Sequence, residues 1–266
     1  QFNTLNIKSI TKETAKAVTL SFVIPSHLKN DYHFKAGQYI TLKTNINGED
    51  IRRDYSICTS PNSGELKVAV KAIDKGLFSN YVNTQLEAGD TLEVAAPQGR
   101  FVFEADKLKS RRIAAFAAGS GITPILSIAK TVLEDEPNSE FILVYGNKSS
   151  HETMFFAELV ELHKTYGDRL HLQFVYSQHQ EMDALFGRIE ESTVDLIIKD
   201  KFKDLSIDAF YLCGPEAMIQ LVKSTLLANQ IHEERIHFEL FTAASTGLKT
   251  NTVNANGETK ITVIVD

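Results

Sequence analysis

The chain has 266 residues, of which 43% are hydrophobic and 23% charged, with six prolines. That composition describes a folded globular protein, long enough for two domains of ordinary size. A net charge of −6 argues against nucleic acid as a partner, two cysteines make no disulfide framework, and eight histidines form no HExxH pair.

The opening segment, Gln1 to Ile10, alternates polar and apolar residues and lacks a signal-peptide core. No apolar run approaches the roughly 18 residues that span a bilayer, so a cytoplasmic protein with no membrane partner is expected. Charge divides the chain: residues 1–105 carry 12 basic and 11 acidic groups, residues 106–241 carry 14 and 21. Two modules are the natural reading, with an N-terminal domain over 1–106 and a second over 107–241.

In the first module, Ala17–Ile24, Tyr39–Lys43, Asp54–Cys58, Glu65–Ala72 and Thr91–Ala95 are short runs rich in β-formers. Turn signals such as Asn47-Gly48 and Pro61-Asn62-Ser63-Gly64 separate them, and Phe78–Glu87 alone reads as a helix. An antiparallel β-barrel is expected. From Ile113 the pattern changes to strands at Ile113–Ala118, Phe141–Tyr145, Leu170–Tyr176 and Ala209–Leu212. These alternate with helices at Ile122–Glu134, Glu152–Tyr166 and Glu216–Asn229. That alternation predicts a doubly wound α/β domain on a parallel sheet. Thr242–Glu258 reads as a linker, and Thr259–Val265 as a strand that could open a third domain.

Four segments could carry chemistry. In Arg53-Asp54-Tyr55-Ser56, strand geometry puts Arg53 and Tyr55 on one face and Ser56 on the other. An arginine fork suits phosphate and a tyrosine ring suits stacking, although an ordinary strand with an exposed charge has the same letters. Lys75-Gly76-Leu77-Phe78-Ser79-Asn80 opens the helix of the first module, where free N–H groups attract anions or where Ser79 simply caps the helix. Gly119-Ser120-Gly121-Ile122-Thr123-Pro124 follows the first strand of the second module, the position of a phosphate-cradling turn or of a plain tight turn. Tyr211-Leu212-Cys213-Gly214-Pro215 again ends a strand at a helix, with Cys213 either at a ligand rim or in the core.

Taken in order, with Phe34–Tyr39, Pro97–Phe101 and Tyr145-Gly146-Asn147, these motifs resemble the ferredoxin–NADP reductase superfamily across residues 1–241. Within it the chain is most similar to the reductase components of phenylacetyl-CoA epoxidase systems. In those proteins a plant-type [2Fe–2S] ferredoxin domain follows the linker. Its C-x4-C-x2-C cysteines are not in this sequence, so a [2Fe–2S] cluster would belong only to a domain beyond residue 266.

The resemblance implies FAD in the barrel, with Arg53 at its pyrophosphate, Tyr55 against the isoalloxazine and Ser56 near flavin N5. Asp54 belongs to the same motif. Gly76, Leu77, Phe78 and Ser79 would hold the pyrophosphate from the other side, and the strand carrying Val70, Lys71 and Ile73 would flank the cofactor. Gly119, Ser120, Gly121, Ile122, Thr123 and Pro124 would cradle NADPH or NADH, with Gly146 and Asn147 beside them. Cys213, Gly214 and Pro215 would border the nicotinamide, and Glu239 and Phe241 would close the site beside the flavin. Ser56, Cys213 and Glu239 are then the catalytic residues of a hydride transfer, which needs nicotinamide and flavin roughly 3 to 3.5 Å apart.

The subfamily points to NADPH, whereas Ser177-Gln178 stands where relatives often have serine–arginine, leaving Arg188 and Lys148 for a 2′-phosphate. The implied acceptor is a ferredoxin domain or oxygenase component. The alternatives are a stand-alone ferredoxin or flavin reductase and a non-catalytic redox sensor.

Overall fold

A computed structural model of the chain describes residues 1–203 and 206–241. The first sheet is antiparallel and comprises β1 (Phe2–Thr14), β2 (Ala17–Val23), β3 (Tyr39–Ile46), β4 (Glu49–Ser56), β5 (Leu66–Lys71) and β6 (Thr91–Ala95). Its order is β4-β3-β6-β1-β2-β5, and a bridge between Ile57 and Val68 brings its two edges together into a barrel. Leu5, Leu20, Ile40, Leu42, Val68, Val70 and Val94 fill the interior, and α1 (Leu77–Thr84) closes against it through Phe78 and Val82. Burying these side chains is the main stabilising term.

Two features of the barrel differ from the sequence reading. The long β1 was not assigned from the sequence although Gln1 to Ile10 alternates, and its pairing is irregular between Ile7 and Ser9 and between Lys12 and Thr14. Each shift changes which residues face inward, so the period of two does not continue to Thr14. β4 begins at Glu49, five residues before the expected Asp54. Asn47 and Gly48 have φ of 54° and 87°, making a two-residue hairpin that pairs Ile46 with Glu49. The hairpin imposes extended structure on charged residues of low strand propensity.

The second sheet is wholly parallel: β7 (Arg112–Ala118), β8 (Glu140–Asn147), β9 (Leu170–Tyr176), β10 (Ala184–Phe186), β11 (Ala209–Gly214) and β12 (Ile236–Leu240). Its order is β10-β9-β8-β7-β11-β12. Helices α2 (Ile122–Asp135) and α3 (Phe156–Tyr166) cover one face, while α4 (Glu191–Asp195) and α5 (Glu216–Ala228) cover the other. This is the doubly wound arrangement that the alternating pattern predicts. α3 starts at Phe156, four residues later than expected, after Phe155 takes a left-handed φ of 60° in the core. The three-residue β10, the short α4 and the edge strand β12 were not anticipated, being too short or too polar to show a period.

Strand order reverses at β7, which has β8 on one side and β11 on the other. Ligands of open α/β sheets bind outside the carboxyl ends of strands at such a switch point. The expected linker and strand within 242–266 lie outside the described residues. No described helix is long and apolar enough to cross a membrane.

Candidate active site at the seam between barrel and sheet

Helix α2 locks the two halves together. Ser127 Oγ donates to Thr59 O at 2.6 Å, and Ser60 Oγ donates to Glu134 Oε2 at 2.6 Å. Tyr211 OH reaches Val102 O at 3.3 Å, and Phe101 and Phe103 from the barrel share a core with α2. With this face fixed, the end of β4, the end of β5 and the carboxyl ends of β7, β11 and β12 converge.

Ser56, the last residue of β4, is buried, and its hydroxyl donates to Glu239 Oε2 on β12 at 3.2 Å, 183 residues away. Cys213 lies directly opposite Glu239 in the β11–β12 register. The three residues expected to be catalytic therefore meet at the seam. Burial and the nearby Asp54 carboxylate push Glu239 up to about 7, against the Ser56 hydrogen bond, which favours the charged form. Burial, with Glu239 next, holds the Cys213 thiol well above its ordinary value. Such a thiol shapes a pocket as a neutral group and is a poor nucleophile.

On the barrel side, Tyr55 packs on Phe78 with ring centroids 5.8 Å apart. Arg53 is half-buried and its guanidinium donates to the adjacent Arg52 carbonyl at 2.7 Å, forming no ion pair among the described residues. Asp54 points away from this pair and accepts from Thr41 Oγ1 at 2.6 Å. Gly76 immediately precedes α1 as its N-cap residue, and Ser79 Oγ is tied to Gly76 O and Ile73 N, each at 3.3 Å. The first N–H groups of α1 have no partner within the helix, as at any helix start. A cavity of about 250 Å³ adjoins them, bordered by Asn47, Lys75, Gly76, Leu77 and Tyr81. Leu77 and Ile73 are exposed, whereas Val70 and Phe78 point into the barrel core, so only their backbone could face a ligand.

On the sheet side, Gly119 takes a φ of +54° and Gly121 packs against the Cys213–Gly214 backbone, where a Cβ would lie 2.7 Å from Gly214 N. Thr123 Oγ1 donates to Ser120 O at 3.0 Å, while Ile122 and Pro124 are buried at the start of α2. Lys71 Nζ at the end of β5 sits 4.0 Å from where a Gly119 Cβ would be. Burial lowers the Lys71 pKa, with Lys148 and Lys16 adding repulsion and Glu152 opposing. Asn147 Nδ2 is buried without a hydrogen-bond partner among the described residues, beside Gly146 at the end of β8.

Half-buried cations without ion-pair partners and a glycine-flanked turn are what a phosphate-bearing ligand requires. Ser177 and Arg188 lie further out, on the loops after β9 and β10. They are joined to their neighbours by Ser177 N to Asn147 O at 3.0 Å and Gly187 N to Tyr176 O at 2.9 Å. Arg188 and Phe241 are exposed, and Pro215 leads into α5.

Two residues stand in motifs of the sequence reading but were given no role there. Tyr145, fully buried, donates from its hydroxyl to Gly119 O at 2.9 Å. Tyr39 lies close enough to Asp54 and Glu239 for both carboxylates to raise its pKa, after burial. Tyr145 does stand in the Tyr145-Gly146-Asn147 motif, but an apolar strand gives no sign that its hydroxyl reaches the next loop.

A β-barrel braced against a doubly wound parallel sheet, with a glycine turn at the seam, is the arrangement of a flavin- and pyridine-nucleotide-dependent oxidoreductase. Residues 4–103 match the family described as oxidoreductase FAD-binding domain, and residues 116–224 the one described as oxidoreductase NAD-binding domain. The chain is 39% identical to one of the subunits of 1,2-phenylacetyl-CoA epoxidase from Escherichia coli strain K12, over all of this chain and 75% of that protein. It is 29% identical to the ferredoxin reductase component of 3-ketosteroid-9-alpha-monooxygenase from Rhodococcus rhodochrous, over 91% of this chain and 65% of that one. The crystal structure of the flavohem-like FAD/NAD-binding domain of nitric oxide dioxygenase from Vibrio cholerae superposes with a TM-score of 0.76 at 26% identity, covering 90% of this chain and 98% of that one. The chain belongs to the ferredoxin reductase-like family of FAD- and NAD-binding oxidoreductases. It is an NAD(P)H-dependent, FAD-containing electron-transfer reductase, and it works with an electron-transfer partner.

Proposed function

We propose that this reductase takes hydride from NADPH at the seam and passes electrons singly to an iron–sulfur centre. That centre would belong to a ferredoxin domain or an oxygenase component acting in phenylacetyl-CoA catabolism. The observation that carries the reading is the meeting of Ser56, Glu239 and Cys213 where the barrel faces the carboxyl ends of β11 and β12. The 39% identity to the epoxidase protein over the whole chain supports the phenylacetyl-CoA connection, and the name of the ketosteroid relative supports an oxygenase partner. Residues 1–106 are assigned to FAD and 107–241 to the nucleotide.

FAD, when bound, accepts a two-electron hydride and returns electrons one at a time. The chain's own residues do the positioning. Arg53 and the first N–H groups of α1 hold the flavin pyrophosphate from two sides, and Tyr55 presents its ring to the isoalloxazine. Ser56 keeps its hydroxyl at the reacting edge, fixed by Glu239. Gly119 to Thr123 hold the nucleotide, with Lys71 neutralising its phosphates, and Cys213, Gly214 and Pro215 shape the nicotinamide pocket without reacting. Phe241 covers the flavin beyond Glu239.

Nucleotide choice falls to the rim formed by Lys148, Ser177 and Arg188, with Gln178 N already bound to Lys148 O at 3.0 Å. Arg188→Ala is expected to raise the KM for NADPH about tenfold, the range of a charge-assisted hydrogen bond, with little change for NADH. Steady-state kinetics with both nucleotides and an artificial acceptor tests this, and a parallel change in both would count against NADPH and Arg188 together.

A further inference from the structure

We infer that Tyr145 is a positioning residue for nucleotide binding: its hydroxyl fixes the Gly119–Ser120 peptide so that the Ser120 N–H faces the phosphate of the bound dinucleotide. This rests on the reading of Gly119–Pro124 as the nucleotide cradle.

The geometry starts from the sheet. β8 lies beside β7 with Tyr145 opposite Ala117 and Gly146 opposite Ala118, so Tyr145 sits under the turn that follows β7. Its ring is fully buried, 6.4 Å from that of Phe174, and the hydroxyl rises to donate to Gly119 O at 2.9 Å. In a trans peptide the C=O of one residue and the N–H of the next point in opposite directions. Anchoring the Gly119 carbonyl into the core therefore turns the Ser120 N–H outward. The same carbonyl also accepts from Ile122 N, and Ser120 O accepts from Thr123 Oγ1, so the turn is held from below at two successive carbonyls.

Gly119 needs this restraint. At φ +54° it has no side chain to limit its rotation, and glycine visits many other conformations at little cost. Lys71 Nζ lies on the open side of the same glycine, so an anion there would meet a cation and an aimed N–H together. Burial drives the Tyr145 phenol far above its ordinary value, which keeps it a donor at any working pH. Asn147 and the Met154 N–H approach the same hydroxyl and oppose that rise.

Tyr145→Phe keeps the ring and removes the hydroxyl, which is both the donor to Gly119 O and the acceptor facing Asn147 and the Met154 N–H. In the holoprotein it is expected to raise the dissociation constants of ADP-ribose and of NAD(P)H by the same factor, about three- to tenfold, the worth of one hydrogen bond. Flavin content and the rate of flavin reduction at saturating nucleotide should stay at the wild-type values. Ser120→Pro removes the N–H itself while leaving Tyr145 in place, and should weaken ADP-ribose to a similar degree. Unchanged ADP-ribose binding in either variant would overturn the proposal. So would a Tyr145→Phe protein that loses flavin and thermal stability while its Ser120→Pro counterpart binds normally. Failure of the wild-type protein to bind ADP-ribose would instead remove the cradle reading, and the role of Tyr145 with it.

Discussion

Glu239 shows how a single side chain is tuned by what folds against it. Its carboxyl faces Ser56, Asp54, Cys213 and Tyr39, and burial with the Asp54 charge raises it from 4.5 to about 7. A carboxyl whose native pKa is raised binds its proton more tightly when folded than when unfolded. Its contribution to stability is therefore full below about pH 4.5 and is lost as pH rises through 7. Urea midpoints measured at pH 5.5 and 8 should show this fall in the wild type and a smaller one in Glu239→Gln, which cannot ionise; equal falls would contradict the burial of this carboxyl. Ser56, Cys213 and Glu239 were singled out from the sequence because each sits in a motif whose order is characteristic, and the structure brings the three together. The Ser56–Glu239 contact was not, since nothing local relates residues 183 positions apart. Tyr145 and the approach of Lys71 to Gly119 stayed hidden for the same reason, both being contacts between neighbouring strand ends.

Turns and strand ends, more than strands themselves, decide what the elements present to a ligand. Gly121 is the clearest case, because the turn after β7 lies on the backbone of β11. A methyl there would press on the Cys213 carbonyl and Gly214 N, neither of which can swing aside as a side chain would. Gly121→Ala is expected to cost about 3 kcal/mol, the upper part of the overpacking range, with the loss seen in the thermal unfolding midpoint. A midpoint equal to the wild type would mean that turn and strand are not in contact. Buried strands such as β7 and β8 were readable as continuous apolar runs, and α2 and α5 as periodic ones. β1 and β4 were read in part or missed, because irregular pairing and a hairpin partner, not local preference, hold their polar residues extended.

At the scale of the molecule, α2 serves both halves, packing on the parallel sheet and donating from Ser127 to the barrel. The buried Glu136 at its end ties in the connection between the halves. It accepts from Asp106 N at 2.9 Å, from Arg111 Nε at 3.1 Å and from Ser139 Oγ at 2.6 Å. Burial alone would raise this carboxyl, but Arg111 and Ser139 outweigh it and hold it below its usual value. The two-module division could be read from composition, whereas this bracing could not, since it depends on contacts between segments far apart in the sequence.

The central claim is that the braced seam brings nucleotide and flavin together for hydride transfer. Its most direct test is an anaerobic titration of the purified, flavin-loaded protein, following the visible flavin band as NADPH and then NADH is added. The account predicts stoichiometric bleaching, faster with NADPH. A protein that takes up no FAD, or one whose flavin neither nucleotide reduces, would contradict it.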